Sequence, residues 1–216
     1  LLKRCENRLR TLNKSKGKLF VISAPSGAGK SSLIQKILKN SSNIELSISA
    51  TTRLPRDGEE EGKHYFFMKD DEFNKLKSEN AFIEHALVHN YQYATLRSYI
   101  QERLDQGISI ICDIDVQGYV QIKQASIDHV SIFIIPPSLE ELKNRLMKRG
   151  SDSDAVIRTR LKNAKEELKF AEEFDYRILN EDYDLAYKDI KDIVIDGKSI
   201  DNRDKINLKI LRDMLS

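Results

Sequence analysis

Residues 24 to 32, Ala-Pro-Ser-Gly-Ala-Gly-Lys-Ser-Ser, form a run of small residues ending in Gly29-Lys30-Ser31, directly after the apolar stretch Leu19 to Ile22. Without bulky side chains, consecutive backbone N–H groups can curl around phosphate oxygens, and the N–H groups at the start of a following helix point at the same spot. Lys30 can then reach the outer phosphates of a nucleoside triphosphate, and the Ser31 hydroxyl can ligate Mg2+. The phosphates of a donor such as ATP therefore fall to Ala24, Pro25, Ser26, Gly27, Ala28, Gly29, Lys30, Ser31 and Ser32. The usual pattern is G-x-x-x-x-G-K-[ST], and Ala24 stands at its first glycine, so the backbone there must adopt a conformation that tolerates a methyl group. A glycine-rich turn at a strand end is the plainer alternative; the register of strand, Lys30, Ser31 and helix argues for the nucleotide.

Two further clusters could choose the reaction. In Arg53-Leu-Pro-Arg56, two guanidinium groups on a loop stiffened by Pro55 can hold a dianionic phosphate through paired, charge-assisted hydrogen bonds, with Tyr65 and Tyr93 as additional hydroxyl donors. Alone, this segment would read as a basic surface loop; beside a phosphate loop it implies a second phosphorylated ligand. Asp113 ends the apolar run Ile108 to Cys112, at the strand edge where parallel sheets keep their ligands, and reads as a carboxylate that holds magnesium through water. A cap for the next helix is the competing role for Asp113 and Asp115, and the two roles are compatible. The four histidines, His64, His85, His89 and His129, show no metal-ligand spacing and read as structural.

The elements that must position these residues follow from periodicity and punctuation. Strands are expected at Leu19 to Ile22, Ile44 to Ile48, Ile108 to Asp113, Val130 to Ile135 and Tyr176 to Asn180, with helices at Ser31 to Leu38, Arg97 to Leu104, through Ala125, and from the capping box Ser138-Leu-Glu-Glu141 to Arg149. A polar break at 150 to 154 precedes a long charged helix reaching about Phe174, and one or two helices close the chain. Between residues 49 and 95 the texture changes. The loop Ser49 to Gly58 leads into short strands at Lys63 to Met68, Phe82 to Val88 and Tyr91 to Tyr93, with an Asp70-capped helix through Lys77. Alternating strands and helices with such an insert indicate an α/β fold: a parallel doubly wound sheet with a small α+β insert.

With 216 residues, a net charge of +2 and two cysteines, the chain can bury a core without disulfides, fits a reducing cytoplasm, and as a whole is not a polyanion binder. No apolar run approaches the roughly 20 residues that span a bilayer, and no signal-peptide core is present, so no membrane partner is expected. Residues 1 to 17 form a basic leader, which reads as a flexible, solvated segment; no nucleic-acid partner is expected.

Several long motifs in one order give the chain a resemblance to the guanylate kinase family from about Lys18 to Tyr187: the phosphate loop, Ser49-Ala-Thr-Thr-Arg-Leu-Pro-Arg-Asp-Gly-Glu59, Gly62-Lys-His-Tyr-Phe-Phe67, Ala81-Phe-Ile-Glu84, Asp113-Ile-Asp-Val-Gln-Gly118 and Pro136-Pro-Ser138. The resemblance implies transfer of the γ-phosphoryl group of Mg·ATP to GMP, and to dGMP, on a P-loop nucleoside monophosphate kinase fold. It implies a domain over 18–216 with core 18–48, 96–148 and 162–216, a GMP-binding subdomain at 49–95 and a helical lid at 149–161. By the same resemblance Glu84, Ser49, Thr95 and Asp115 hold guanine, Arg53, Arg56, Tyr65 and Tyr93 hold the GMP phosphate, Arg149, Arg160 and Arg145 are lid cations beside Lys30, and Asn180 lies in the region that contacts adenine. The family's usual glycine between the last tyrosine and hydroxyl residue is Ala94 here. A non-catalytic interaction module of this fold, a monophosphate kinase of other base specificity and a nucleic-acid-directed ATPase are the alternatives; Lys30, Ser31 and Asp113 argue against the first, and Glu84 with the Arg53/Arg56 pair against the others. The oligomeric state stays open.

Overall fold

In the computed structural model, described over residues 16–88, 90–148 and 153–216, the chain divides into two compact units: residues 16–19 with Asn43–Ile111, and Phe20–Ser42 with Cys112–Ser216. Leader residues 1–15, His89, Arg149 and the start of the expected lid, 150–152, lie outside the described residues.

The second unit is built on parallel strands. Strand β1 (Leu19–Ser23) pairs in register with β8 (Val130–Ile135), and β8 with β9 (Tyr176–Leu179). From Phe20 to Ile22 and from Ile132 to Ile135 the side chains are at most 2% exposed, as expected of strands covered on both faces. Helix α1 (Lys30–Lys39) buries Leu33, Ile34 and Ile37 on one stripe, α4 spans Val116–Gln124, and α5 (Leu139–Lys148) buries Leu142 and Leu146. Each such fully buried aliphatic side chain contributes about 1.5–3 kcal/mol relative to exposure. Ser138 Oγ accepts the Glu141 N–H at 3.0 Å, one half of the expected capping box; the Glu141 carboxylate turns instead to Arg145 Nε, also at 3.0 Å. The long charged helix α6 (Asp154–Lys169) stops short of Phe174, tightening into a 3-10 turn over Phe170–Glu173. Two helices close the chain, α7 (Tyr183–Val194) and α8 (Asp201–Leu215). Helix α8 is tied to β9 by polar groups: Arg177 pairs with Asp204, and Asn207 Nδ2 donates to the Arg177 carbonyl at 2.7 Å.

In the first unit β2 (Ile44–Leu46) pairs in parallel with β7 (Ser109–Asp113) up to Ile111. The expected strand to Ile48 ends early, and Ser49–Thr51, expected in a loop, is strand β3 of a second sheet. That sheet has the order β4 (Phe66–Phe67), β3, β6 (Tyr91–Leu96), β5 (Phe82–Val88). The expected strand at Lys63 to Met68 shrinks to two residues because 62–64 turn, and β6 runs three residues past Tyr93. Helix α2 (Asp70–Ser78) begins with Asp70 as its first helical residue; the capping position is Lys69, with no side-chain cap, and the acidic first turn suits the helix dipole instead. Phe73 of α2 meets Phe82 at 4.7 Å between ring centroids, over Ala50 and Ala94. Helix α3 (Arg97–Asp105) then ends at Gly107, whose φ of 78° a glycine accepts without strain.

Candidate functional site

The phosphate loop lies in the second unit, between β1 and α1. Ala24 has no positive φ, so its methyl costs nothing where the usual pattern has glycine; the left-handed positions are Gly27 (φ 96°) and Gly29 (φ 97°). Ala28 is fully buried, and its N–H donates to the Pro25 carbonyl at 3.0 Å, closing the turn. Lys30 opens α1, forms an ion pair with Asp113 and donates to the Ile114 carbonyl at 3.1 Å. A lysine and a strand-end carboxylate thus meet beside the loop, while the side chains of Ser31 and Ser32 sit on an exposed turn.

Asp115 does what a helix start asks of it: its Oδ1 accepts the Gly118 N–H at 2.9 Å and caps α4. It also lines a cavity of about 540 Å³ with Val116, Val120, Asn163, Glu167 and Phe170. Sequence reasoning missed Glu167. Burial first, and the nearby Asp115 carboxylate second, push its carboxyl above the usual range, with Lys30 opposing them. Glu167 reads as one charge among many on a charged helix, so only the fold shows it near Lys30.

Asn180 stands behind the loop. It is 5% exposed, its Nδ2 donates to the Ala28 carbonyl at 2.7 Å, and its own carbonyl accepts from Arg145 Nη2 at 3.2 Å. Asn180 thus braces the loop's backbone, and Arg145, expected as a lid cation, is engaged by Glu141 and the Asn180 carbonyl. Arg160 lies half-buried on α6.

In the first unit, one row across the sheet gathers three of the four residues expected to hold guanine. Ser49 is in register with Thr95, and Thr95 with Glu84. Thr95 Oγ1 donates to Glu84 Oε1 at 2.6 Å, and the two residues are 1% and 7% exposed. A bulge between Phe82 and Glu84 makes this row. In unbroken register Glu84 would oppose Ala94 and share the face of Phe82 and Ala50; the extra residue, Ile83, turns it to the face of Thr95. Ala94 itself is fully buried in the α2 cluster on the opposite face, so its methyl does not intrude on the row.

Two registers along, on the same face as Thr95, Tyr93 opposes Thr51. Arg53, 8% exposed, donates from Nη2 to Glu59 Oε1 at 2.8 Å and from Nη1 to the Leu54 carbonyl at 2.8 Å, with Tyr65 beneath its guanidinium at 5.3 Å. Hydrogen bonds to Glu59 and then Tyr93 hold the Arg53 pKa above its usual value, and Tyr65 and Tyr93 meet edge to face at 6.0 Å. Glu59 Oε2 also accepts the Arg56 backbone N–H at 2.8 Å, and these two bonds, Arg53 first, hold its carboxyl below the usual range. The Arg56 side chain is exposed. Glu59 is the second residue the candidate site lacked; its place in the Arg-Asp-Gly-Glu59 run is the signal that pointed to it.

His64 and His129 make contacts within the fold. His64 Nδ1 accepts the Glu60 N–H at 3.0 Å, and His129 packs edge to face on Tyr119. Among the described residues no group of three or more His, Cys, Asp or Glu side chains could hold a metal ion by itself, and no helix is long and apolar enough to cross a membrane.

A strand, a glycine-containing loop, a helix opened by lysine and a carboxylate at a parallel strand's end define a P-loop nucleotide-binding protein of the α/β class. The family model for guanylate kinase matches residues 16–196. Over 201 residues the chain is 45% identical to the guanylate kinase of Legionella pneumophila (strain Lens), covering 93% of this chain and 96% of that one, and over 193 residues it is 44% identical to the guanylate kinase of Thermotoga maritima, covering 88% and 93%. The crystal structure of guanylate kinase from Anaplasma phagocytophilum matches with a TM-score of 0.63 at 36% identity, over 86% of this chain and 88% of that one. The chain belongs to the guanylate kinase family.

Proposed function

We propose that the protein transfers the γ-phosphoryl group of ATP to GMP, and to dGMP, giving ADP and GDP or dGDP, in the cytoplasm. The observation that carries this reading is the Ser49–Thr95–Glu84 row beside the Arg53 cluster in a member of the guanylate kinase family. Guanine presents N1–H and N2–H donors on one edge, and an ionised Glu84 accepts from both; adenine lacks that donor pair and leaves a buried carboxylate poorly matched. Ser49, Thr95 and Asp115 support the base, while Arg53, Arg56, Tyr65 and Tyr93 hold the GMP phosphate. That phosphate is already ionised near neutral pH, so its oxygen attacks the γ-phosphorus without a general base.

Catalysis then rests on position and charge. Backbone N–H groups from Ala24 to Ser32 cradle the donor phosphates, and Lys30 exchanges its partner Asp113 for phosphate oxygens. The oxygen donors Ser31 and Asp113 suit Mg2+, which keeps waters and takes phosphate ligands; they would hold it, Asp113 through water, and the bound ion neutralises charge on the β- and γ-phosphates. Arg149 and Arg160 from the lid segment 149–161, with Arg145 on the preceding helix α5, supply further positive charge and help exclude water, which would otherwise compete as acceptor. An interaction module without turnover has no use for Lys30, Ser31 and Asp113 together. Chromatography of Mg·ATP and GMP incubated with the protein should show GDP and ADP appearing one for one; ADP without GDP would point to an ATPase and refute the reading.

A further inference from the structure

We propose that Asn180 is a positioning residue of the phosphate loop, holding the Ala28–Gly29 peptide with its carbonyl away from the bound anion. A loop whose N–H groups must converge on phosphate has to send its carbonyl oxygens elsewhere. Ala28 is fully buried, where a carbonyl without a donor is costly, and the donor it receives is Asn180 Nδ2 at 2.7 Å. The two residues lie 152 positions apart in the chain, so the bond depends on the tertiary fold.

Asn180 is itself fixed from both sides. Its backbone N–H donates to the Ile135 carbonyl at the end of β8 at 2.8 Å, and its carbonyl accepts from Arg145 Nη2, whose Nε is held by Glu141. With the backbone pinned, the short side chain has one place to reach, and that is the loop. The fit also accounts for Gly29. A Cβ there would lie 2.2 Å from Asn180 Nδ2, at a φ of 97° that side chains rarely adopt, so glycine and brace form one unit. Without the brace, the peptide can rotate its carbonyl into the cradle, where the oxygen would repel the phosphates.

This inference rests on the ATP half of the reading above. The test compares Asn180→Asp, which keeps the shape but removes the donor, with Asn180→Ala, using equilibrium titration with Mg·ATP and with tripolyphosphate, which has no base, and KM for GMP. The brace predicts that both variants lose about tenfold in affinity for ATP and for tripolyphosphate alike, while KM for GMP stays within about twofold. Weakened ATP binding with unchanged tripolyphosphate binding would assign Asn180 to the base instead. Unchanged ATP affinity, parallel losses for ATP and GMP, or loss of the folded state in both variants would also overturn the proposal. Failure of the unmodified protein to phosphorylate GMP would refute the reading above yet leave the two titrations readable.

Discussion

Replacing Glu84 by glutamine tests the guanine site at one atom. The carboxylate offers two acceptor oxygens, and Thr95 Oγ1 already donates to Oε1 at 2.6 Å. In the variant, an amide oxygen that keeps the Thr95 bond turns its NH2 toward the base, where it meets the N1–H and N2–H donors of guanine. At least one hydrogen bond to a charged acceptor is then lost and a donor faces a donor, a cost of about 3 kcal/mol, or on the order of 100-fold in kcat/KM for GMP. IMP supplies an internal control because its base lacks the 2-amino group. The unmodified enzyme should prefer GMP to IMP by roughly 10- to 100-fold, the value of one such bond, and Glu84→Gln should bring that ratio to about one. Initial rates of ADP release with each monophosphate give both numbers. A variant that loses activity with GMP and IMP equally, keeping their ratio, would refute the assignment of Glu84 to the base edge.

Three other outcomes follow from the geometry. Glu59→Gln should raise KM for GMP about tenfold and leave KM for ATP unmoved, since its carboxylate fixes the Arg53 guanidinium and the Arg56 N–H, both in the cluster assigned to the GMP phosphate; steady-state kinetics with each substrate varied would read this split. Glu167→Gln should raise the melting temperature at pH 8 but not at pH 4. Burial raises the Glu167 carboxyl above its ordinary value of 4.5, so the folded state binds more protons than the unfolded one and loses stability as pH climbs through that window, a penalty the amide removes. Asp204→Ala should cost about 3–5 kcal/mol in urea unfolding, because it leaves Arg177, 7% exposed, without its ionic partner and removes one of the polar ties between α8 and β9; a change within error of zero would mean that the Asn207 bond and packing hold the closing helix without it.

Much of the α/β frame was legible because its signals are local. The Val130 to Ile135 strand is a continuous apolar run closed by two prolines, and its bounds in the fold are those the run suggests. The phosphate loop reads equally well, since lysine, serine and glycine spacing carry the chemistry in consecutive residues. The insert was harder. Short strands of mixed character gave no clear period, so β3 hid in an expected loop and β6 was cut at Tyr93. The bulge at Ile83 leaves no mark in the sequence, yet it decides which face carries Glu84. The loop-bracing bond of Asn180 and the setting of Glu167 were missed for a related reason: each depends on partners far away in the chain, Ala28 for one and Asp115 and Lys30 for the other. Ala24 and Ala94, the two departures from the family's glycines, cause no backbone strain, since neither position has a positive φ.

The central claim is that this chain phosphorylates GMP, and the most direct measurement is kcat/KM for GMP, AMP, CMP and UMP with saturating Mg·ATP, run beside Lys30→Ala. The account predicts GMP ahead of the others by at least about 100-fold, as expected where a site leaves the wrong base's polar groups unpaired. It predicts no measurable turnover by a folded Lys30→Ala variant. Comparable rates with AMP or a pyrimidine monophosphate, or full activity without Lys30, would contradict it.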